Sequence, residues 1–269
     1  MYDGKAPGAS ETGARLVDRF IRVLNAVTQL DGKVHGTGEI AKEAGLDDST
    51  TSRILRSGVK GRFLQRVSHG KFQLGVASAR LGLHALAHMS AKDESTHTVL
   101  EDLRAATGEG LIFQYMLAPV GGAYRQCIDM AVGDSDLAEL GMTARSILSV
   151  TRSLRVGASG RTILAHLPER ILELVLNEPI PPESGPGVYR KDDELRESLV
   201  EIRARGYALG YEECMALWNS CAAPILWNQT IMGAVLLLKP ATAMPEPSSA
   251  VIEATKAAAA EISAKLGRP

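Results

Sequence analysis

The chain has 269 residues, 45% of them hydrophobic, and its 30 Lys and Arg nearly balance its 31 Asp and Glu. This length exceeds one typical domain, and no apolar run is long enough to cross a bilayer. The N-terminus has no apolar signal segment and the three cysteines have no Cys-x-x-Cys spacing, which predicts a cytoplasmic protein without disulfides, a metal site or a membrane partner.

The first elements in chain order are a tail and a helix. Residues 1–13 are rich in Gly, Ala, Ser and Thr, which predicts a disordered tail. Apolar residues then recur at helical spacing from Leu16 to Val27 and predict an amphipathic helix. Asp31-Gly32 ends it.

Residues 37–55 predict a helix, a tight turn and a second helix. Gly45 stands at the turn because glycine tolerates positive φ, and either Asp47 or Asp48 can cap the second helix. The second helix then presents a polar and basic set outward, as helix-turn-helix DNA binders do: Ser49, Thr50, Ser52, Arg53 and Arg56.

A basic β-hairpin is predicted directly after this helix pair. Residues 63–67 and 71–74 have strand alternation around the turn Ser68-His-Gly70. Such a hairpin is a wing, and Arg66, His69 and Lys71 would face the flanking DNA backbone. The alternative is a small helical subdomain with a solvated basic face.

Charge is unevenly distributed along the chain. Residues 1–75 hold 12 Lys and Arg against 8 Asp and Glu, whereas residues 76–269 hold 18 against 23. A basic end on an acidic body suits a protein that offers that end to a polyanion. The sequence therefore predicts a winged helix-turn-helix DNA-binding domain over residues 14–75.

The next segment, residues 76–94, is predicted as a linker helix that pairs with another subunit, because leucines and alanines dominate Val76–Met89. His84 and His88 stand four residues apart, but no third ligand accompanies them, so no metal is predicted.

Residues 95–269 alternate helical and strand patterns. Helices are predicted over 98–106, 161–166, 169–176, 192–205 and 248–266, and strands over 111–117, 123–130, 207–213, 221–227 and 231–238. Residues 119–122 would turn a hairpin. The pattern predicts an α+β fold, with an antiparallel sheet and helices on its faces.

Several motifs resemble the IclR family of bacterial transcriptional regulators over almost the full chain. In the first half they are Glu39-Ile-Ala, Gly45-Leu46, Ser49-Thr50 and Arg53-Ile-Leu55; in the second half they are Arg155–Glu169, Ile202–Ala208, Glu212-Glu213 and Ala222-Ala-Pro224. The resemblance implies a winged helix-turn-helix, a linker helix and a GAF-like effector-binding domain. It also implies a homodimer or dimer of dimers that binds a palindromic DNA operator under the control of a small-molecule effector, with no cofactor.

Two positions depart from the family pattern in the predicted DNA-binding domain. Asp48 stands where the family often has a basic residue, and a carboxylate there would oppose nearby phosphates. Gly58 stands where a core leucine is common and weakens the end of its helix.

The family's effector pocket maps onto six positions of this chain: Ala158, Ser159, Gly210, Ser220, Leu236 and Leu238. Family members that bind small oxo-acids tend to have a carboxylate at the Gly210 position and serines at the two leucine positions. A carboxylate would lose its hydration in a pocket walled by leucines and gain no polar partner from them. We therefore expect an apolar or aromatic effector with at most one polar group. The alternative is that the two leucines fill the pocket.

Other function classes have weaker support. Residues 157–161 lack the second glycine of a nucleophile elbow, and no phosphate-binding glycine motif is present, so no catalytic residues and no enzyme activity are predicted. A further alternative is a ligand-sensing GAF-like module whose winged domain contacts proteins rather than DNA.

Overall fold

A computed structural model describes residues 9–30, 32–89, 94–108, 110–118, 123–133, 137 and 143–266. The chain divides into two compact units, Met1–His88 and Met89–Pro269. None of the helices in these described ranges is long and apolar enough to cross a membrane.

The N-terminal unit combines helices with a small antiparallel sheet of strand order β1-β3-β2. Its elements are α1 (Ala9–Gln29), β1 (His35–Gly36), α2 (Thr37–Ala44), α3 (Asp48–Lys60), β2 (Leu64–Ser68), β3 (Lys71–Leu74) and α4 (Val76–Met89). Its buried core brings together Val23 of α1, Ile40 of α2, Leu55 of α3 and Leu64 of β2.

Helix α1 begins at Ala9, inside the range 1–13 that was predicted as a disordered tail. No proline follows Pro7 before the amphipathic segment, so nothing in the backbone stops the helix from extending toward the N-terminus. Residues 1–8 lie outside the described residues.

The turn between α2 and α3 has the predicted chemistry. Gly45 has φ +60° and its N–H caps the end of α2. Asp47 is the cap of α3, because its Oδ1 accepts hydrogen bonds from Thr50 N at 2.8 Å and from Ser49 Oγ at 2.8 Å. These bonds lower the pKa of Asp47, with the Thr50 amide the larger cause. Asp48, the alternative cap, lies in the first turn of the helix.

Gly58 has a packing role within α3. A Cβ built at Gly58 would lie 2.7 Å from Leu64 Cδ1, so the β2 leucine occupies the space that a side chain at this position would fill.

The C-terminal unit contains a six-stranded antiparallel sheet of order β6-β5-β4-β9-β8-β7. Its elements are α5 (Glu94–Ala106), β4 (Leu111–Leu117), β5 (Tyr124–Ala131), α6 (Ala144–Leu148), β6 (Thr151–Ser153), α7 (Gly157–Leu164), α8 (Glu169–Leu176), α9 (Asp192–Arg205), β7 (Ala208–Tyr211), β8 (Trp218–Trp227), β9 (Thr230–Pro240) and α10 (Ser249–Leu266).

Each face of this sheet has its own core. Leu236 and Leu238 of β9 pack with residues of α7, α8 and α9 on one face. Val235 and Leu237 pack with residues of α5 and α10 on the other, because successive strand side chains point to opposite faces. This arrangement confirms the predicted α+β fold, with an antiparallel sheet and helices on its faces.

Helix α7 begins at Gly157, four residues before the predicted start at Arg161. Tertiary packing explains the difference, because the whole of Gly157–Leu164 is buried. A Cβ at Gly157 would lie 2.2 Å from Cys214 Sγ, and one at Gly160 would lie 2.7 Å from Leu154 O. The short elements α6 and β6 were not predicted, and the predicted hairpin at 119–122 lies outside the described residues.

Candidate nucleic-acid interface and effector site

The solvent-exposed face of α3 carries most of the α3 residues that were predicted to contact DNA. Ser49, Arg53 and Arg56 are exposed and Ser52 is half-buried. The Arg56 side chain folds back along the helix, and its Nε donates to Ser52 O at 3.4 Å. This face offers hydroxyl and guanidinium donors of the kind that meet base edges and phosphates.

Thr50 does not belong to this face, although the sequence analysis placed it outward. It is only 8% exposed and lies with Ile54 and Ser57 along a cleft that Phe20 of α1 also lines. The buried stripe of α3 includes Thr50 and Thr51, four residues before Ile54 and Leu55. We therefore leave Thr50 out of the set proposed to contact DNA.

The β2–β3 hairpin holds its three predicted basic residues in solvent. Arg66 donates from Nη2 to His69 Nδ1 at 3.0 Å and from Nε to Ser68 O at 3.2 Å, which fixes the guanidinium beside the hairpin turn. Lys71 Nζ lies 3.4 Å from Glu39 Oε2, and both side chains are exposed. Because exposed ion pairs are weak, Lys71 can exchange this carboxylate for a phosphate at little cost.

Asp48→Lys is expected to raise affinity for duplex DNA, mainly at low salt. Asp48 is exposed and does not cap α3, so the change removes a repulsive charge and adds a phosphate contact without loss of the cap. Fluorescence anisotropy across a salt series measures the effect. Asp18→Lys makes the same charge change on an exposed α1 position and serves as the control; lower affinity for Asp48→Lys than for wild type would contradict the electrostatic interpretation.

The structure brings the predicted effector residues together on one sheet face. Gly210 of β7 pairs with Ser220 of β8, which pairs with Leu238 of β9. Leu236 lies two residues back on the same face of β9. A Cβ built at Gly210 would lie 3.3 Å from Ala158 N and 2.6 Å from Ser220 Oγ, so the start of α7 sits directly over this row. Ser159, the remaining predicted residue, follows in the same helix.

A buried ion pair that the sequence analysis missed lies beside this row. Glu213 Oε2 accepts from Gly157 N at 3.1 Å and from Arg161 Nε at 3.0 Å, and Arg161 Nη2 donates to Glu213 Oε1. The Arg161 guanidinium also lies 4.7 Å from the centre of the Tyr189 ring. The two side chains are 1% and 3% exposed. Two sequence features could have indicated this ion pair: an arginine, Arg161, within a run of small residues, and the separate Glu212-Glu213 dipeptide.

This ion pair changes what the helix start can bind. Helix α7 starts at Gly157, and Glu213 already accepts a hydrogen bond from its first N–H. An acidic effector at this point would meet a carboxylate of the protein itself. Among the described residues, the fully buried hydroxyls of Ser159 and Thr162 have no hydrogen-bond partner. Within the described ranges, no three His, Cys, Asp or Glu side chains are grouped to hold a metal.

Two family models match this chain. The model for the IclR helix-turn-helix domain matches residues 16–68, and the model for the C-terminal domain of bacterial IclR transcriptional regulators matches residues 139–264. The first contains the whole of α2 and α3, and the second contains β6–β9 with the helices of the proposed effector face.

A curated relative matches part of the chain. It is the probable HTH-type transcriptional regulator ArcR of Halobacterium salinarum, which is 36% identical over 92 residues. The matched region covers 34% of this chain and about a third (35%) of that protein.

Solved structures share the fold over nearly the whole chain. A transcriptional regulator of the IclR type from Rhodococcus sp. aligns with a TM-score of 0.57 and 24% identity, covering 98% of each chain. An IclR homolog from Microbacterium hydrocarbonoxydans, solved in complex with 4-hydroxybenzoate, aligns with a TM-score of 0.55 and 20% identity, covering 93% of this chain and 98% of its own.

Proposed function

The chain belongs to the IclR family of bacterial transcriptional regulators, and from that premise we propose that it binds a palindromic operator as a homodimer or dimer of dimers under the control of a small apolar or aromatic effector. A helix-turn-helix DNA-binding domain and a C-terminal ligand-binding domain are the family's defining parts. Because its target is chromosomal DNA, we propose that it acts in the cytoplasm, with no catalytic role of its own.

The exposed face of α3 is the observation that carries the DNA-binding part of the proposal. Ser49, Ser52 and Arg53 would enter the major groove, since they stand near the start of the helix, as in other helix-turn-helix proteins. Residues farther along or on the wing would contact phosphates: Arg56, Arg66, His69 and Lys71. Phosphate contacts fix the register of the helix, and base contacts give specificity.

Exposed apolar side chains on the N-terminal unit support self-association. Leu81 and Leu83 of α4 are 52% and 54% exposed, and Leu16 and Val17 of α1 are 60% and 57% exposed. Apolar side chains of this size gain free energy when a second copy of the chain removes them from water. A symmetric pair of winged units would present two recognition helices to two half-sites, which is why the proposed operator is palindromic.

The row formed by Gly210, Ser220, Leu236 and Leu238 supports an apolar or aromatic effector. Leu236 and Leu238 are 4% and 7% exposed, and Gly210 supplies no charged side chain. The adjacent cation, Arg161, already forms an ion pair with Glu213. A second carboxylate would lose its hydration without gaining a free cation, whereas an aromatic ring can share the leucine wall and place one polar group on the Ser159 or Ser220 hydroxyl.

Leu238→Ser is expected to weaken the binding of a neutral aromatic compound such as phenol or indole, because it removes buried methyl groups and adds an unpaired hydroxyl. Titration calorimetry on wild type and variant measures this loss. Leu237→Ser is the matched control, since Leu237 is buried in the core on the opposite face of the same strand. The control should lose stability without a selective loss of ligand affinity.

Titration of wild type with an aromatic panel and an oxo-acid panel tests the proposed effector class. A stronger response to pyruvate and related oxo-acids than to every aromatic compound would contradict the apolar effector. The family assignment and the DNA-binding domain would be unaffected by that result.

A further inference from the structure

The cleft between α1 and α3 is an apolar cavity inside the N-terminal unit. It has a volume of about 780 Å³, within the range of pockets that hold organic ligands. All of its lining residues belong to the N-terminal unit, so it is separate from the Gly210–Ser220–Leu238 row. The Phe20 and Phe63 rings meet edge to face, with their centres 5.8 Å apart. Five apolar side chains line the cleft: Leu16, Val17, Phe20, Ile54 and Phe63.

Three arginines also line this cleft, Arg15 and Arg19 of α1 and Arg53 of α3, and all three are exposed. Arg15 and Arg19 stand four residues apart on one face of α1, a spacing at which like charges destabilise a helix. No Asp or Glu is among the lining residues, and the exposed Asp18 of α1 lies outside them. Within the described part of the chain, none of the three arginines forms an ion pair. The cleft therefore combines an apolar wall with uncompensated positive charge.

We propose that this cleft binds an acyl carboxylate, a ligand with a long apolar chain and one negative charge. The chain would lie on the apolar wall, where burial of each methylene group is favourable. The carboxylate would lie among the guanidinium groups, whose N–H donors match its two oxygens. A short acid would leave most of the wall in water, and a neutral hydrocarbon would leave the arginines without a counter-charge.

Arg53 links this cleft to the DNA-facing surface of α3. Its side chain lines the cleft and also belongs to the set proposed to enter the major groove. A carboxylate bound to Arg53 would occupy its donors and add a negative charge next to the DNA phosphates. The ligand should therefore oppose DNA binding. This consequence rests on the proposed function, whereas binding of the ligand to the cleft does not.

The first test compares decanoate with 1-decanol, which has the same chain and no charge, by calorimetric titration of the full chain below the concentration at which decanoate forms micelles. Decanoate should bind at least about tenfold more tightly than decanol, because only decanoate makes charge-assisted hydrogen bonds. Leu238→Ser, in the effector row of the C-terminal unit, should leave decanoate binding intact. Equal affinities for the two compounds would overturn the proposal.

Matched variants locate the bound chain. Arg19→Gln should weaken decanoate about fivefold and leave decanol unchanged, whereas Arg80→Gln, at an exposed α4 position outside the cleft, should change neither. Leu16→Ser should weaken both compounds about fivefold, because it removes part of the apolar wall. Ile21→Ser is its control, since Ile21 is an exposed α1 residue outside the cleft.

Sedimentation of the same variants separates a ligand from a second copy of the chain. If Leu16→Ser changes the oligomeric state and leaves decanoate binding intact, a second copy covers the cleft and the proposal is wrong. Loss of decanoate binding in Leu238→Ser but not in Arg19→Gln would likewise overturn it, because the ligand would then occupy the C-terminal unit.

A duplex titration tests the link to DNA binding. With decanoate at ten times its Kd, wild type should bind duplex DNA about tenfold more weakly, as expected when the two ligands exclude each other. Arg19→Gln should need about fivefold more decanoate for the same effect. Undiminished duplex binding by wild type saturated with decanoate would overturn the link. Failure of every duplex to bind, with calorimetry as expected, would contradict the proposed function and leave the cleft site standing.

Discussion

Glu213→Ala is expected to lower the free energy of unfolding of the C-terminal unit by about 3–5 kcal/mol. The carboxylate accepts three hydrogen bonds, two from Arg161 and one from Gly157 N at 3.1 Å. Its removal leaves the Arg161 charge buried at 1% exposure and frees the first N–H of α7. Urea denaturation followed by circular dichroism measures the loss.

A surface pair provides the matched control. Glu169 bonds to Arg196, but the two side chains are 65% and 35% exposed. Glu169→Ala should cost far less, because the remaining Arg196 is partly exposed to water and keeps its ion pair with Glu173. Similar losses in the two variants would show that burial does not make the Arg161–Glu213 pair special. The double variant Arg161→Met, Glu213→Leu should lose less stability than Glu213→Ala, because no charge is left unpaired.

Arg53→Ala is expected to weaken operator binding by about 1–3 kcal/mol and to relax the preference for one base pair, as for an arginine that pairs with guanine. Arg53 is exposed on α3, and its Nη2 lies 3.5 Å from Thr50 Oγ1 at the edge of the α1–α3 cleft. Anisotropy titrations against operator variants separate the loss of affinity from the loss of specificity.

Arg80→Ala, at an exposed position of α4, is the control for total charge. It should lower affinity slightly and equally for all sequences. If Arg53→Ala leaves both the footprint and the affinity unchanged, Arg53 does not contact a base pair of the operator.

The sequence predicts best those elements in which the hydrophobic periodicity and the residues that begin or end the element agree. Helix α9 has the predicted bounds, Asp192–Arg205, and Gly206 ends it with φ +78°. Leu236 and Leu238 lie on the same face of β9, because side chains alternate along a strand and residues two positions apart point to the same side. The row across Gly210, Ser220 and Leu238 was expected only through the family resemblance, since strand register depends on the whole sheet.

Other features depend on contacts that no local pattern encodes. Thr50 is polar and was predicted on the solvent face, yet it is only 8% exposed and lines the cleft between α1 and α3. Arg161 and Glu213 are 52 residues apart in the chain. The pairing of β5 with β6 was not predicted, because β6 has only three residues.

Footprinting on the DNA upstream of the protein's own gene, combined with anisotropy titrations across a salt series, tests the central claim most directly. The proposal predicts a protected site with two-fold symmetry and a linear fall of log affinity with log salt. Arg66→Ala and Lys71→Ala should each reduce that slope by about one. An absence of any protected site, with weak and salt-independent binding to every duplex, would contradict sequence-specific DNA recognition by the winged unit.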